Sequence, residues 1–79
     1  MICVLVVGSG AAWEAGALTA LGARPDITVL KRCVDVNDLL AAATLGQADV
    51  AVVGLDAPGL DAAAVDHLRR HRVRVVGVA

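Results

Sequence analysis

The chain has 79 residues, 58% of them hydrophobic and 19% charged, with Trp13 as its one Phe, Tyr or Trp residue. That length holds a single small core and excludes a second domain. The formal net charge of -1, from 7 basic and 8 acidic residues, excludes a general electrostatic pull toward nucleic acid or an anionic membrane.

Ile2 to Val7 is an unbroken aliphatic run closed by Gly8-Ser9-Gly10, the pattern of a central strand apolar on both faces. From Ala11 to Gly22, Trp13, Ala17, Leu18 and Leu21 recur at helical spacing, so one helix face can cover a sheet. Ala23-Arg24-Pro25-Asp26 breaks that helix. Ile27 to Cys33 follows, and its Lys31 and Arg32 mark a strand nearer an edge. Asp35 or Asn37 can cap a second helix by accepting from its first free amides. Leu39, Leu40, Ala43 and Leu45 form its apolar face and Gly46 its stop. Val50 to Val53, led in by Asp49 and ended by Gly54, is a second fully apolar strand. Asp61 is expected to cap a third helix running through His71, with Val65 and Leu68 inward and the arginines outward. Val73 to Val78 reads as the fourth strand.

Strand and helix thus alternate with connections of a few residues. This implies right-handed crossovers and an α/β, flavodoxin-like parallel sheet in three layers, α/β/α. Such a sheet normally runs 2-1-3-4-5, and here it is expected to stop after the fourth strand, leaving an exposed edge. One domain over 1–79 is therefore expected either to be an incomplete piece of a longer protein or to self-associate.

The turn Val7-Gly8-Ser9-Gly10-Ala11-Ala12-Trp13 offers the first chemistry to weigh. In a dinucleotide-binding G-x-G-x-x-G the third glycine lets helix and strand pack closely, with phosphate on the helix N-terminus. Trp13 stands at that third position, and Lys31 and Arg32 stand where an acid would hold a ribose. A nucleotide- or dinucleotide-binding fragment using Gly8, Ser9 and Gly10 is the alternative reading, with Arg32 facing a 2′-phosphate. No P-loop occurs in the chain, and Ser9 is its only serine. Arg69, Arg70, Arg72 and Arg74, beside His67 and His71, read as a solvated helix end. They lack interleaved aromatics to stack on bases. His67 and His71 have a metal-compatible i,i+4 spacing but only Asp66 beside them, so no metal is expected. Cys3 and Cys33 lie in apolar runs and read as buried free thiols of a reducing compartment. No run approaches ~20 apolar residues and Met1 to Val4 lack a basic leader region, so a cytoplasmic location is expected.

The segment from Asp49 to Asp61, DVAVVGLDAPGLD, resembles the third strand and following loop of response-regulator receiver domains. In that family the strand ends in the phosphate-accepting aspartate, and a proline follows four positions later. Pro58, Gly59, Leu60 and Asp61 match the loop, but counting back from Pro58 lands on Gly54. The acidic pair that holds Mg²⁺ after the first strand corresponds to Gly8 and Ser9, and the switch Ser/Thr to Val78. Asp56 remains, but its place in the loop does not make it the acceptor. The resemblance therefore implies a pseudo-receiver, with Gly8, Ser9, Gly54 and Val78 as degenerate positions.

Gly10 to Ala15 and Lys31 to Ala43 are further similar to the N-terminal region of actinobacterial TadZ/CpaE-like, MinD-related ATPases. In those proteins an atypical receiver precedes a P-loop ATPase domain. That resemblance implies a non-catalytic regulatory domain in septum-site or pilus-assembly placement, without a cofactor of its own and possessing no nucleic-acid partner. Its expected partners are a second copy, as homodimer or higher oligomer, and a P-loop ATPase domain of the same protein, with recruitment to a pole or septum. The expected interaction surface is Arg69, Arg70, Arg72, Arg74, Val75 and Val76.

Overall fold

In the computed structural model, which describes residues 1–8 and 12–78, the apolar runs become strands and the alanine-rich stretches helices. β1 (Ile2–Val7) leads to α1 (Ala12–Gly22), β2 (Ile27–Cys33), α2 (Val36–Thr44), β3 (Val50–Gly54), α3 (Ala62–Arg70) and β4 (Arg74–Val78). The turn residues Ser9 and Gly10, and the helix start expected at Ala11, lie outside the described residues. All strand pairs are parallel, in the order β2-β1-β3-β4. Alternating strands and helices in this order make a flavodoxin-like α/β fold.

Side chains alternate across a strand, so each central strand feeds two cores. Leu5, Val7, Ala51 and Val53 face α2 and α3, packing with Leu39, Ala43, Ala64 and Leu68. Val4, Val6 and Val52 face the other way, with Trp13, Leu18 and Leu21 of α1 packed against them. This is why β1 shows no polar alternation: its residues Val4 to Val7 are buried on both faces.

Local chemistry sets the ends of the helices. Asp35 is the cap of α2, its carboxylate accepting from the Asp38 amide at 2.7 Å; Asn37 sits within the helix and does not cap. Asp61 does the same for α3 through Ala64 N at 2.8 Å. Leu45, expected on the apolar face of α2, is instead its C-terminal cap and is exposed. The next residue, Gly46, takes a positive φ of 76° that reverses the chain without a Cβ clash.

α3 ends at Arg70 and not at His71, because the chain closes there in a Schellman turn. Arg72 N–H donates to Arg69 O at 3.0 Å and Val73 N–H to Leu68 O at 2.9 Å, with Arg72 at φ 60°. Val73 and Leu68 are both buried, the apolar contact that accompanies this motif. The amide of Val73 is used in closing the helix, so β4 starts one residue later than its aliphatic run suggests. On α3 the inward pair is Ala64 and Leu68, while Val65 is half-buried.

Only one of the two thiols is buried. Cys33 is fully enclosed, as expected, whereas Cys3, near the open N-terminal end of β1, is half-buried, which corrects the expectation for that thiol. Desolvation pushes the Cys33 thiol above its ordinary pKa. A disulfide-exchange reagent at neutral pH should therefore label Cys3 first in the native protein and Cys33 only on unfolding. Equal native rates would contradict that enclosure. Among the described residues no helix is long and apolar enough to cross a membrane.

Candidate functional site

Open parallel sheets present their chemistry at the carboxyl ends of the strands. Gly8, Cys33, Gly54 and Val78 close the four strands here at one end. The question is what fills that end when two of its positions carry no side chain.

Over Gly54 lie two groups. A Cβ added there would stand 3.6 Å from Trp13 Cζ2 and 3.1 Å from Asp56 Oδ1. The indole that α1 sends toward the sheet thus reaches beyond its own helix and covers the end of β3, and the Asp56 carboxylate folds back over the same glycine. Over Gly8 lies an ion pair. Glu14, in the first turn of α1, is 3% exposed and pairs with Arg32 at the end of β2. A Cβ on Gly8 would come within 2.8 Å of Glu14 Oε1 and 2.9 Å of Arg32 Nε. Glycine at position 8 is therefore what lets the Glu14–Arg32 pair settle onto the strand end.

The pair also changes the reading of Arg32, whose guanidinium is committed to a carboxylate of its own chain. Its neighbour Lys31 is likewise engaged: Lys31 Nζ lies 2.7 Å from Asp38 Oδ1, and Asp38 Oδ2 accepts from Val34 N at 3.1 Å. The Lys31 ammonium and the Val34 amide hold the Asp38 carboxyl below its usual pKa, and the same hydrogen bond raises Lys31. A depression of about 260 Å³ lies between Gly8, Asp35 and Pro58, below the usual ~300–1,000 Å³ of a small-molecule pocket. Its one charged lining group, Asp35, is negative and already caps α2.

The sequence-predicted positions divide between the two ends of the sheet. Gly8, Gly54 and Val78 meet at the carboxyl end; Val78 is half-buried, and its carbonyl accepts from Leu55 N at 2.9 Å. Ser9 and Gly10 lie outside the described residues. Arg69, Arg70, Arg72 and Arg74 gather at the opposite end, all exposed, with Arg70 paired to Asp66 at 2.8 Å. There His67 and His71 stack at 4.6 Å, and Thr44 Oγ1 is 3.1 Å from His67 Nε2. Among the described residues no three His, Cys, Asp or Glu side chains come together as a metal site. Val75 packs into the α2/α3 core, and Val76 is 45% exposed on the α1 face.

Sequence reasoning missed Glu14, the position of Trp13 over Gly54, and the return of Asp56. The only signal for the first was an acid at the start of a helix whose next strand ends in Lys31-Arg32.

The fold is that of a flavodoxin-like α/β domain in which, among the described residues, Trp13 and Asp56 lie over the end of β3 and the Glu14–Arg32 pair over the end of β1. Protein-family models and curated proteins contain no match to the chain.

Proposed function

We propose that the chain is a non-catalytic, phosphorylation-incompetent receiver-like module that works by protein interaction. The observation that carries this reading is the state of the strand ends. A receiver needs a carboxylate at the end of its third strand and acids beside the first to hold Mg²⁺ through hard oxygens. Here Gly54 lies under Trp13 and Asp56, and the acid nearest Gly8, Glu14, is tied to Arg32. What remains is a folded scaffold with surfaces. By the resemblance to TadZ/CpaE-like proteins, the module regulates a MinD-like P-loop ATPase domain in septum-site or pilus-assembly placement at a pole or septum. Nucleotide hydrolysis belongs to that ATPase domain, and this module needs no cofactor.

Calorimetric titration with ATP, NADH, NADPH and Mg²⁺ tests the reading. The expected result is no saturable heat. Saturable binding near ~1–100 µM would overturn it in favour of the nucleotide-binding alternative at Gly8.

A further inference from the structure

The cations of this chain are sorted by place. Four of its seven lysines and arginines are held by an acid of the same chain: Arg24 by Asp26, Lys31 by Asp38, Arg32 by Glu14 and Arg70 by Asp66. Arg69, Arg72 and Arg74 have no such acid among the described residues, and all three are exposed around the turn from α3 into β4.

For Arg69 the end of α3 is reason enough, since a cation there opposes the negative end of the helix dipole. Arg72 differs. It takes φ 60° at the position where a helix closed in this way normally carries glycine or asparagine, because the Cβ of other L residues crowds the following carbonyl. The closure itself uses backbone atoms alone, Arg72 N–H to Arg69 O and Val73 N–H to Leu68 O. Local stability therefore asks for glycine at 72, and the guanidinium is carried against it. Backbone strain of this kind collects where a side chain is put to use.

Arg72 and Arg74 line one groove of about 450 Å³ together with Asp49 and Val50. Asp49 turns Oδ2 to the Cys3 amide at 2.8 Å and forms an ion pair with neither arginine. Arg70 and Val75, expected on the same surface, are engaged elsewhere, by Asp66 and by the α2/α3 core.

Resting on the interaction-module reading, we propose that this groove binds a carboxylate-bearing segment of a protein partner, with Arg72 and Arg74 donating to its glutamate or aspartate side chains. The planar fork of a guanidinium matches a carboxylate through two parallel hydrogen bonds. Two features separate this ligand from other polyanions. The site is concave, so it receives side chains in preference to the flat face of a bilayer. Asp49 stands inside it; its charge repels a duplex with one phosphate charge per ~1.7 Å, but leaves room for carboxylates spaced along a peptide.

Fluorescence polarisation with a short labelled peptide of alternating glutamate and alanine should show saturable binding with Kd of about 10–300 µM at low salt. Arg72→Gly separates a ligand-facing role from a structural one. It should raise the melting temperature by about 2–6 °C, because glycine relaxes the left-handed backbone, while weakening the peptide about fivefold or more. Arg74→Gln should weaken it by a similar factor. Arg24→Gln, at the same end of the sheet but already paired, should change it by less than about twofold. Unchanged peptide binding by Arg72→Gly, or a lower melting temperature for that variant, would overturn the proposal. So would the absence of saturable binding up to about 1 mM peptide, or tighter binding of the native chain to duplex DNA or phosphatidylglycerol vesicles than to the peptide. All of these outcomes concern the amino end of the strands. The interaction-module reading fails at the opposite end, on nucleotide binding or phosphoryl transfer.

Discussion

Replacing Leu39 with alanine should lower the unfolding free energy by about 2–5 kcal/mol. Leu39 is 0% exposed and sits in the larger core, where α2 meets β1, β2 and α3. Truncating it removes transfer energy and leaves a void that the neighbouring strands, held in a ladder, cannot fill. For 79 residues the whole stability expected is only about 4–12 kcal/mol, so this change takes a large fraction of it. Urea unfolding followed by Trp13 fluorescence measures the loss. A cost under about 1 kcal/mol would mean that the α2 face is not the main core.

Gly8→Asp, which would place an acid at the end of β1, should destabilise the protein. Its Cβ would crowd Glu14 Oε1 at 2.8 Å and Arg32 Nε at 2.9 Å, and crowding of this kind costs about 1–3 kcal/mol. The new carboxylate adds repulsion beside a carboxylate that is 3% exposed. Removing Glu14 in the same protein frees both the space and the guanidinium. The double variant Gly8→Asp, Glu14→Ala should therefore be more stable than the sum of its single changes, by about 1 kcal/mol or more of coupling. Strict additivity would show that the two side chains do not meet.

Architecture was legible because it is written in runs. Val50 to Val53 and Val4 to Val7 bury both faces in the middle of a parallel sheet and Lys31 and Arg32 mark β2 as an edge, and the flavodoxin-like connection of such strands gives the order β2-β1-β3-β4. The boundaries that shifted did so for local reasons that hydrophobicity does not carry. Val73 is as aliphatic as the strand it precedes, yet its amide is drawn into the closure of α3. Leu30 is as apolar as its neighbours, yet it forms the bulge that moves Lys31 opposite Leu5.

The strand end was legible only by subtraction. Under the receiver resemblance Gly8 and Gly54 stand where carboxylates are expected, but a glycine says nothing about what covers it. The helical spacing puts Trp13 on the face of α1 that covers the sheet, but does not show that its ring reaches Gly54 at the end of β3. Glu14 and Arg32 lie on different elements, and their pairing depends on how those elements dock. Asp56 was read as a loop residue, and its return over Gly54 depends on the turn between β3 and α3.

On the proposed function, this strand end does not accept a phosphoryl group. The most direct test of that is intact-mass spectrometry of the chain after incubation with acetyl phosphate and Mg²⁺. The mass is expected to stay that of the unmodified chain. A stoichiometric phosphoryl adduct, on Asp56 or anywhere else at the carboxyl end of the sheet, would contradict it.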